Sequence, residues 1–278
     1  MSERQEVVGL IAGQGALPLL LAQGIRNSGK RVACIGLRGQ FDPALPQMCD
    51  DFAEAGILRL GRWVTLARRF GIREAVMVGR VSKAKMHDPI RLFRDIPDLR
   101  AALLWYRRLR HDHRTPTLLT ALAENLAQDG VMLIDSTRYI PEQLAHKGVM
   151  TKTQPDALQT SDIAFAMPLL QELLRLGIGQ AISVREKDTI AVEALEGTDQ
   201  MIERSGELCK AKGWTLLKNA RDDHDRRGDV PTVGVSTIEK LHAAGGRALA
   251  VGSGKVILLD KPAVLATADR LRVAVIGI

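Results

Sequence analysis

The sequence predicts an α/β protein of two domains, and three observations carry that expectation. Apolar runs of strand length alternate with segments of helical periodicity along the first half of the chain. The apolar fraction of 46% is built mainly from Ala, Leu, Val and Ile, with only 4% aromatic residues. At 278 residues the chain also exceeds the usual single domain of roughly 100–200 residues.

The run over 7–12 is strand-like, the turn Gly13-Gln14-Gly15 follows, and an apolar helix is expected over 17–27. Pro18 falls in the first turn of that helix, where its missing N–H costs nothing. A second strand is expected over 31–37 and a third over 75–78, ending at Gly79. Strands alternating with helices in this order build a parallel sheet with crossover helices, so the N-terminal part is read as Rossmann-like. Between 84 and 114 the periodicity weakens and basic residues crowd together. A helix then starts at Pro116 and a strand runs over 131–134. Pro141 and Gly148 punctuate an irregular stretch, which sets the boundary: 1–138 as the nucleotide-contacting domain, 139–278 as a catalytic α/β domain. In the second part a long helix is expected over 156–176 and strands over 181–184 and 189–194. Further on come a helix from Asp199 to Cys209, a strand over 214–218, a helix from Ser236, and strands near Ala248, near Val256 and over 273–276.

The three cysteines, Cys34, Cys49 and Cys209, are odd in number and form no CxxC, so they read as small core residues, with neither a disulfide framework nor a zinc site. The N-terminus lacks the layout of a signal peptide and no apolar run reaches membrane-spanning length, so a soluble, cytoplasmic protein is expected. The net charge of +7 points to an anionic partner: nucleic acid, lipid headgroups or a phosphorylated substrate. His111-Asp112-His113 is not a metal motif, because residues i and i+2 do not share a helix face and arginines flank it.

Four segments carry candidate chemistry. Gly13, Gly15, Leu17 and Pro18 lie where a glycine turn brings a phosphate to a helix N-terminus. The dinucleotide fingerprint is broken by Pro18 and by Arg38 at the end of the second strand, which argues against a nicotinamide cofactor. Gly79, Arg80 and Val81 follow the third strand and so should line the same crevice at the carboxyl edge of the sheet. Glu196, Gly197, Thr198 and Asp199 open a helix; Thr198 or Asp199 as an N-cap would explain them, and so would pyrophosphate or cation binding. Finally, the loop from Asp223 to Gly234 holds Asp223, Asp225 and Asp229 as hard oxygen ligands and His224, Arg226 and Arg227 as groups that could bind phosphate or supply a proton, a set suited to water attack on a phosphoanhydride beside magnesium. A solvated charged loop is the alternative there.

Taken together these residues resemble the UDP-2,3-diacylglucosamine pyrophosphatases of the LpxI type, over nearly the whole chain. The resemblance rests on Gly-Leu-Ile-Ala-Gly-x-Gly-x-Leu-Pro at Gly9 to Pro18, Leu37-Arg38-Gly39 before Asp42-Pro43, and Gly79-x-Val81 with Ser82. It continues with Gly179-Gln180-Ala181, Ala191-Val-Glu-Ala before Glu196-Gly-Thr-Asp199, and Asp225-x-Arg227-x-Asp229-x-Pro231-x-x-Gly234. It implies a lipid nucleotide held between two domains and magnesium-dependent hydrolysis to UMP and 2,3-diacylglucosamine 1-phosphate in lipid A biosynthesis. By the resemblance Asp229 is the essential aspartate, with Arg227 and Asp225 beside it as catalytic residues, and Asp225 and Asp229 as metal ligands. Lys218 joins the 196–199 turn on the diphosphate. The chain departs from the family pattern at Arg221-Asp222-Asp223-His224 and at His113-Arg114-Thr115-Pro116. Expected partners are the lipid-linked UDP-sugar, transiently the anionic inner-membrane surface, and a possible homodimer, with no nucleic acid. The alternatives weighed are a basic nucleic-acid-binding protein and a nucleotide-dependent oxidoreductase.

Overall fold

The structure, a computed structural model, describes residues 5–81, 96–111, 115–228 and 230–278. Of the residues singled out above, Asp229, Ser82 and 112–114 lie outside the described residues. The chain divides into two units: Met1–Ile140 together with Asp225–Asp229, and Pro141–His224 together with Val230–Ile278.

The first unit is built on a parallel sheet of β1 (Val7–Ala12), β2 (Arg31–Leu37), β3 (Asp51–Ala55), β4 (Glu74–Val78) and β5 (Met132–Leu133). Their spatial order is β3-β2-β1-β4-β5, and every pairing is parallel. The central strands are apolar throughout, as a sheet covered on both faces requires: all residues of β1 after Val7 are buried. Helix α1 (Leu17–Asn27) buries Pro18, Leu21, Ala22 and Ile25, one face at helical spacing. The sequence reading missed β3 and the helix after it, α2 (Leu60–Phe70), so its third strand is the fourth of the fold. The cause is local: β3 is an edge strand, Asp-Phe-Ala-Glu-Ala, only one residue of which is fully buried, so it shows no apolar run. Helix α3 (Leu99–Leu104) and helix α4 (Thr115–Ala127) complete the described part of this unit.

Because β2 and β3 lie on one side of β1 and β4 and β5 on the other, the strand order reverses between β1 and β4, the place where open α/β sheets bind ligands. Here the two loops that leave the sheet join directly. Gly13 donates its backbone N–H to the Val78 carbonyl at 2.8 Å, and Gln14 and Arg80 exchange backbone hydrogen bonds at 2.9 and 2.8 Å. The approach leaves no room for side chains. A Cβ on Gly79 would lie 2.6 Å from the Gly13 carbonyl carbon, and one on Gly13 would lie 2.8 Å from the Arg80 oxygen. Gly79 also has a φ of 94°.

The second unit carries a mixed six-stranded sheet in the order β6-β13-β11-β9-β7-β8. These strands are β6 (Gly148–Val149), β7 (Ala181–Arg185), β8 (Asp188–Val192), β9 (Trp214–Lys218), β11 (Gly246–Val251) and β13 (Ala274–Gly277). Separately, β10 (Thr232–Val233) pairs in parallel with β12 (Ile257–Leu258). β9, β11 and β13 are parallel neighbours, whereas β7, β8 and β6 run antiparallel to their partners. Helix α5 (Ala157–Leu176) starts at a capping box of Asp156 and Gln159 and ends at Gly177 in the left-handed conformation. Its buried Asp162 accepts the backbone N–H groups of Glu186 and Lys187, at 3.1 and 2.7 Å. Those two residues have positive φ and form the tight turn between β7 and β8. Helices α6 (Thr198–Leu208), α7 (Val235–Ala243) and α8 (Lys261–Arg270) follow. The last was not read from the sequence, because it buries only Val264 and Ala268 and shows little periodicity. The cysteines are free: Cys34 is buried, Cys49 and Cys209 half-buried.

The packing of the two turns is open to a stability measurement. Gly79→Ala is expected to lose about 2 kcal/mol or more, from strain and from the clash with Gly13. Gly130→Ala, at a φ of 78° but in open space, is expected to lose only about 1 kcal/mol. Chemical denaturation compares them, and equal losses would show that contact between the turns has no weight.

Candidate active site

The loop after β9 sorts its charges into two groups. Upstream, Arg221 holds Asp223 through two contacts, at 2.7 and 2.5 Å, and Lys255 holds Asp222 at 2.5 Å. The Arg221 guanidinium keeps the Asp223 carboxyl below its usual range. Both acids are well exposed, so the conspicuous acids of the departure from the family pattern are spent on local surface pairs.

Downstream, Asp225 and Arg227 form a fork. The Arg227 Nε donates to both carboxylate oxygens at 2.8 and 3.1 Å, and Nη2 donates to Oδ2 at 2.7 Å. The Arg227 backbone N–H adds a bond to Oδ1 at 3.0 Å. This pairing raises the Arg227 pKa, so the guanidinium stays charged. Arg226, which the sequence offers as a possible phosphate ligand, anchors the loop. It sits 3.2 Å from the Asp135 carboxylate, donates to the Thr137 hydroxyl at 2.5 Å, and its carbonyl accepts the Ser136 N–H at 2.9 Å. Asp135 in turn accepts both the N–H and the hydroxyl of Thr137, at 2.7 Å each. Gly228 packs so that a Cβ would lie 2.9 Å from a Leu119 methyl. The loop is therefore held by an arginine, a glycine and the buried Ser136 and Thr137. Its neighbours in sequence give no signal of this, since residues 135–137 are nearly ninety positions away.

At the switch point, part of the expected binding set has packing duties. Gly13 and Gly79 permit the close approach of the turns, Pro18 is buried in the first turn of α1, and Val81 packs against the core. Gly15, with a φ of 107° and open space beside it, and the exposed Arg80 border solvent, with Leu17 half-buried.

In the second unit, Gly197 and not Thr198 or Asp199 is the N-cap of α6, with a φ of 83° and no side-chain cap. Thr198 instead accepts from the Lys218 ammonium at 2.6 Å and donates to Glu193 Oε1 at 2.8 Å. Glu193 and Lys218 are only 8% and 6% exposed, so the hydroxyl bridges two buried, oppositely charged groups. Glu193, an acid in the otherwise small and apolar run Ala191-Val-Glu-Ala that the sequence offers as a possible cation ligand, is here a buried partner of the Thr198 hydroxyl. Glu196 is fixed separately, accepting from the Ala194 N–H and from Arg204, and its pKa is lowered by backbone hydrogen bonding and by that guanidinium. Asp199 pairs with Lys240 at 2.6 Å.

Among the described residues no three His, Cys, Asp or Glu side chains cluster as a ready metal cage. Magnesium asks for less, commonly one or two carboxylates with water and substrate phosphates. Asp225 supplies oxygens of the right hardness, although both now accept from Arg227, and a cation there would have to share or displace that fork.

A parallel doubly wound unit followed by a mixed α/β unit defines the class as a two-unit α/β protein with charged loops at the sheet edges. Models of the LpxI N-terminal domain and the LpxI C-terminal domain match residues 7–143 and 146–276. The curated UDP-2,3-diacylglucosamine pyrophosphatase LpxI of Caulobacter vibrioides is 30% identical over 278 residues, covering 98% of this chain and 97% of that protein. The chain belongs to the LpxI family.

The bridging hydroxyl makes a direct test. Thr198→Val removes the acceptor of Lys218 and the donor to Glu193 and is expected to cost about 1–3 kcal/mol. Asp199→Asn, which loses a solvent-screened pair, is expected to cost less than about 1 kcal/mol. Urea unfolding of the two variants distinguishes the buried bridge from the surface pair.

Proposed function

We propose that this protein hydrolyses the pyrophosphate bond of UDP-2,3-diacylglucosamine, giving UMP and 2,3-diacylglucosamine 1-phosphate for lipid A biosynthesis. The observation that carries the reading is the similarity to the Caulobacter vibrioides protein of that name, which runs almost end to end in both chains. It is supported by the location of Arg227 and Asp225 on an anchored loop and by the convergence of Thr198 and Lys218.

In this reading a water oxygen bonds to one phosphorus, the bridging P–O bond breaks, and the leaving phosphate takes the electron pair. Asp229 accepts the proton of the attacking water or holds the metal, with Asp225 assisting. Charge neutralisation of the diphosphate is what magnesium supplies when bound by Asp225 and Asp229. The Arg227 fork, which now grips a carboxylate, has the shape to grip a phosphate in the same bidentate way. Lys218 and the turn of Glu196, Gly197, Thr198 and Asp199 add positive charge and N–H donors to the diphosphate, and the Gly13 to Pro18 turn with Gly79 to Val81 receives the uridine nucleotide. The protein acts at the cytoplasmic face of the inner membrane, where its lipid substrate lies.

The assay is UMP release from UDP-2,3-diacylglucosamine, with magnesium and with EDTA. Asp229→Ala is expected to lower turnover by about 10²–10⁴-fold while leaving the unfolding transition in place. Arg227→Lys keeps the charge but not the fork, and should fall at least about tenfold. Wild-type turnover in either variant removes that residue from the chemistry, and activity unaffected by EDTA removes the metal.

A further inference from the structure

Residues 96–111 present a surface that hydrolysis does not explain. Asp98 caps α3 by accepting the Ala101 N–H at 2.8 Å, and its other oxygen takes the Gly61 N–H at 2.7 Å, so the segment is fastened at its start. Its inner stripe is Ala101, Leu104 and Leu109, all buried. The five-residue step from Leu104 to Leu109 is a π turn over Trp105–Leu109. An α-helical step would have turned Arg108 inward; the π turn buries Leu109 and leaves Trp105, Tyr106, Arg107 and Arg108 outside. The outer face then carries Leu99 at 77% exposure, Tyr106 at 60%, Trp105 at 53%, Ile96 at 52% and Leu103 at 42%. From Leu99 to His111 the chain has four arginines and no acid; Arg100 is taken up by Asp129 and Asn125, which leaves Arg107, Arg108 and Arg110 on the outer face. Arg108 leans on Glu124 at 3.1 Å, and the Arg110 guanidinium lies 4.6 Å from the Tyr106 ring centre.

We propose that this face is a docking surface for an anionic lipid bilayer, lying in the interface with its apolar side chains in the headgroup and acyl boundary. Three chemical features choose that occupant. Tryptophan and tyrosine are suited to the membrane–water interface, where one end of the ring system is apolar and the other wet. Arginines beside them gain from the negative potential of anionic headgroups, in keeping with the net charge of +7. The exposed aliphatic residues gain from acyl chains but have nothing to stack on in a nucleic acid, and a second copy meeting this face symmetrically would set arginine against arginine. No helix among the described residues is long and apolar enough to cross a membrane, so the contact is superficial. This inference stands apart from the hydrolysis reading, since the docking surface needs no nucleotide.

The protein carries its own probe. Trp63 and Trp214 are 2% and 0% exposed, and Trp105 is the solvent-facing tryptophan. The full chain is mixed with vesicles of equimolar phosphatidylglycerol and phosphatidylcholine, or of phosphatidylcholine alone, and read by co-sedimentation and tryptophan emission. Binding with a blue shift is expected on the anionic vesicles, weakening as salt is raised. Arg107→Gln with Arg110→Gln should weaken partitioning roughly thirtyfold, and Leu99→Ser with Leu103→Ser should abolish the blue shift, with hydrolysis of soluble substrate analogues unchanged in both. The salt titration of the wild type needs no variant. Absence of binding, equal binding to neutral vesicles, oligonucleotide binding that competes with the vesicles, or self-association lost with Leu99→Ser would each overturn the proposal.

Discussion

The backbone contact between Gly13 and Gly79 is the constraint on which the first unit turns. A parallel sheet that reverses its strand order leaves two loops facing each other at the carboxyl edge, and these must either splay apart or meet. In this protein they meet, through the reciprocal bonds of Gln14 and Arg80 and through two glycines with no room for a Cβ. The rigidity of that junction fixes where α1 begins, and with it the position of Gly15, Leu17 and Arg80. Glycines that look like a phosphate cradle in sequence therefore serve first as a hinge pin of the sheet, in which the backbone N–H groups of Gly13, Gln14 and Arg80 are all engaged.

The second unit solves a different problem. Lys218 ends a fully buried strand, and a buried ammonium is costly unless its charge is matched and its donors are used. Glu193 supplies the charge and Thr198, the first residue of α6, the intermediate hydroxyl. The Arg227 fork on Asp225 has the same character: a cation kept charged and aimed by a neighbouring carboxylate.

Charge in this chain is thus divided by environment. Asp222, Asp223 and Asp199 pair with cations at the surface, where such pairs contribute little. Glu193, Lys218 and Asp162 are buried and fully engaged. The arginines of 107–110 remain on the outside beside tryptophan and tyrosine, which is the combination a membrane surface rewards.

Most of the elements were legible in the sequence because their signals are local. The buried runs of β1, β2 and β9, the proline of α1 and the capping residues of α5 lie within one element each, and the periodicity of each is set by the face it buries. The strand β3 and the helix α8 were not legible, since an edge strand and a lightly buried helix need little apolar pattern. The candidate loop of 223–234 could be found by its composition and by resemblance, and so could the turn at 196–199 with Lys218. What only the tertiary structure decided is which of their charges are spent on packing and which are poised. Thr198, for which capping and binding were both open, bridges Glu193 to Lys218 twenty residues on, and Arg226 found Asp135 and Thr137 far back in the chain. Such assignments depend on distances of a few ångströms between residues remote in sequence, and no local pattern encodes those.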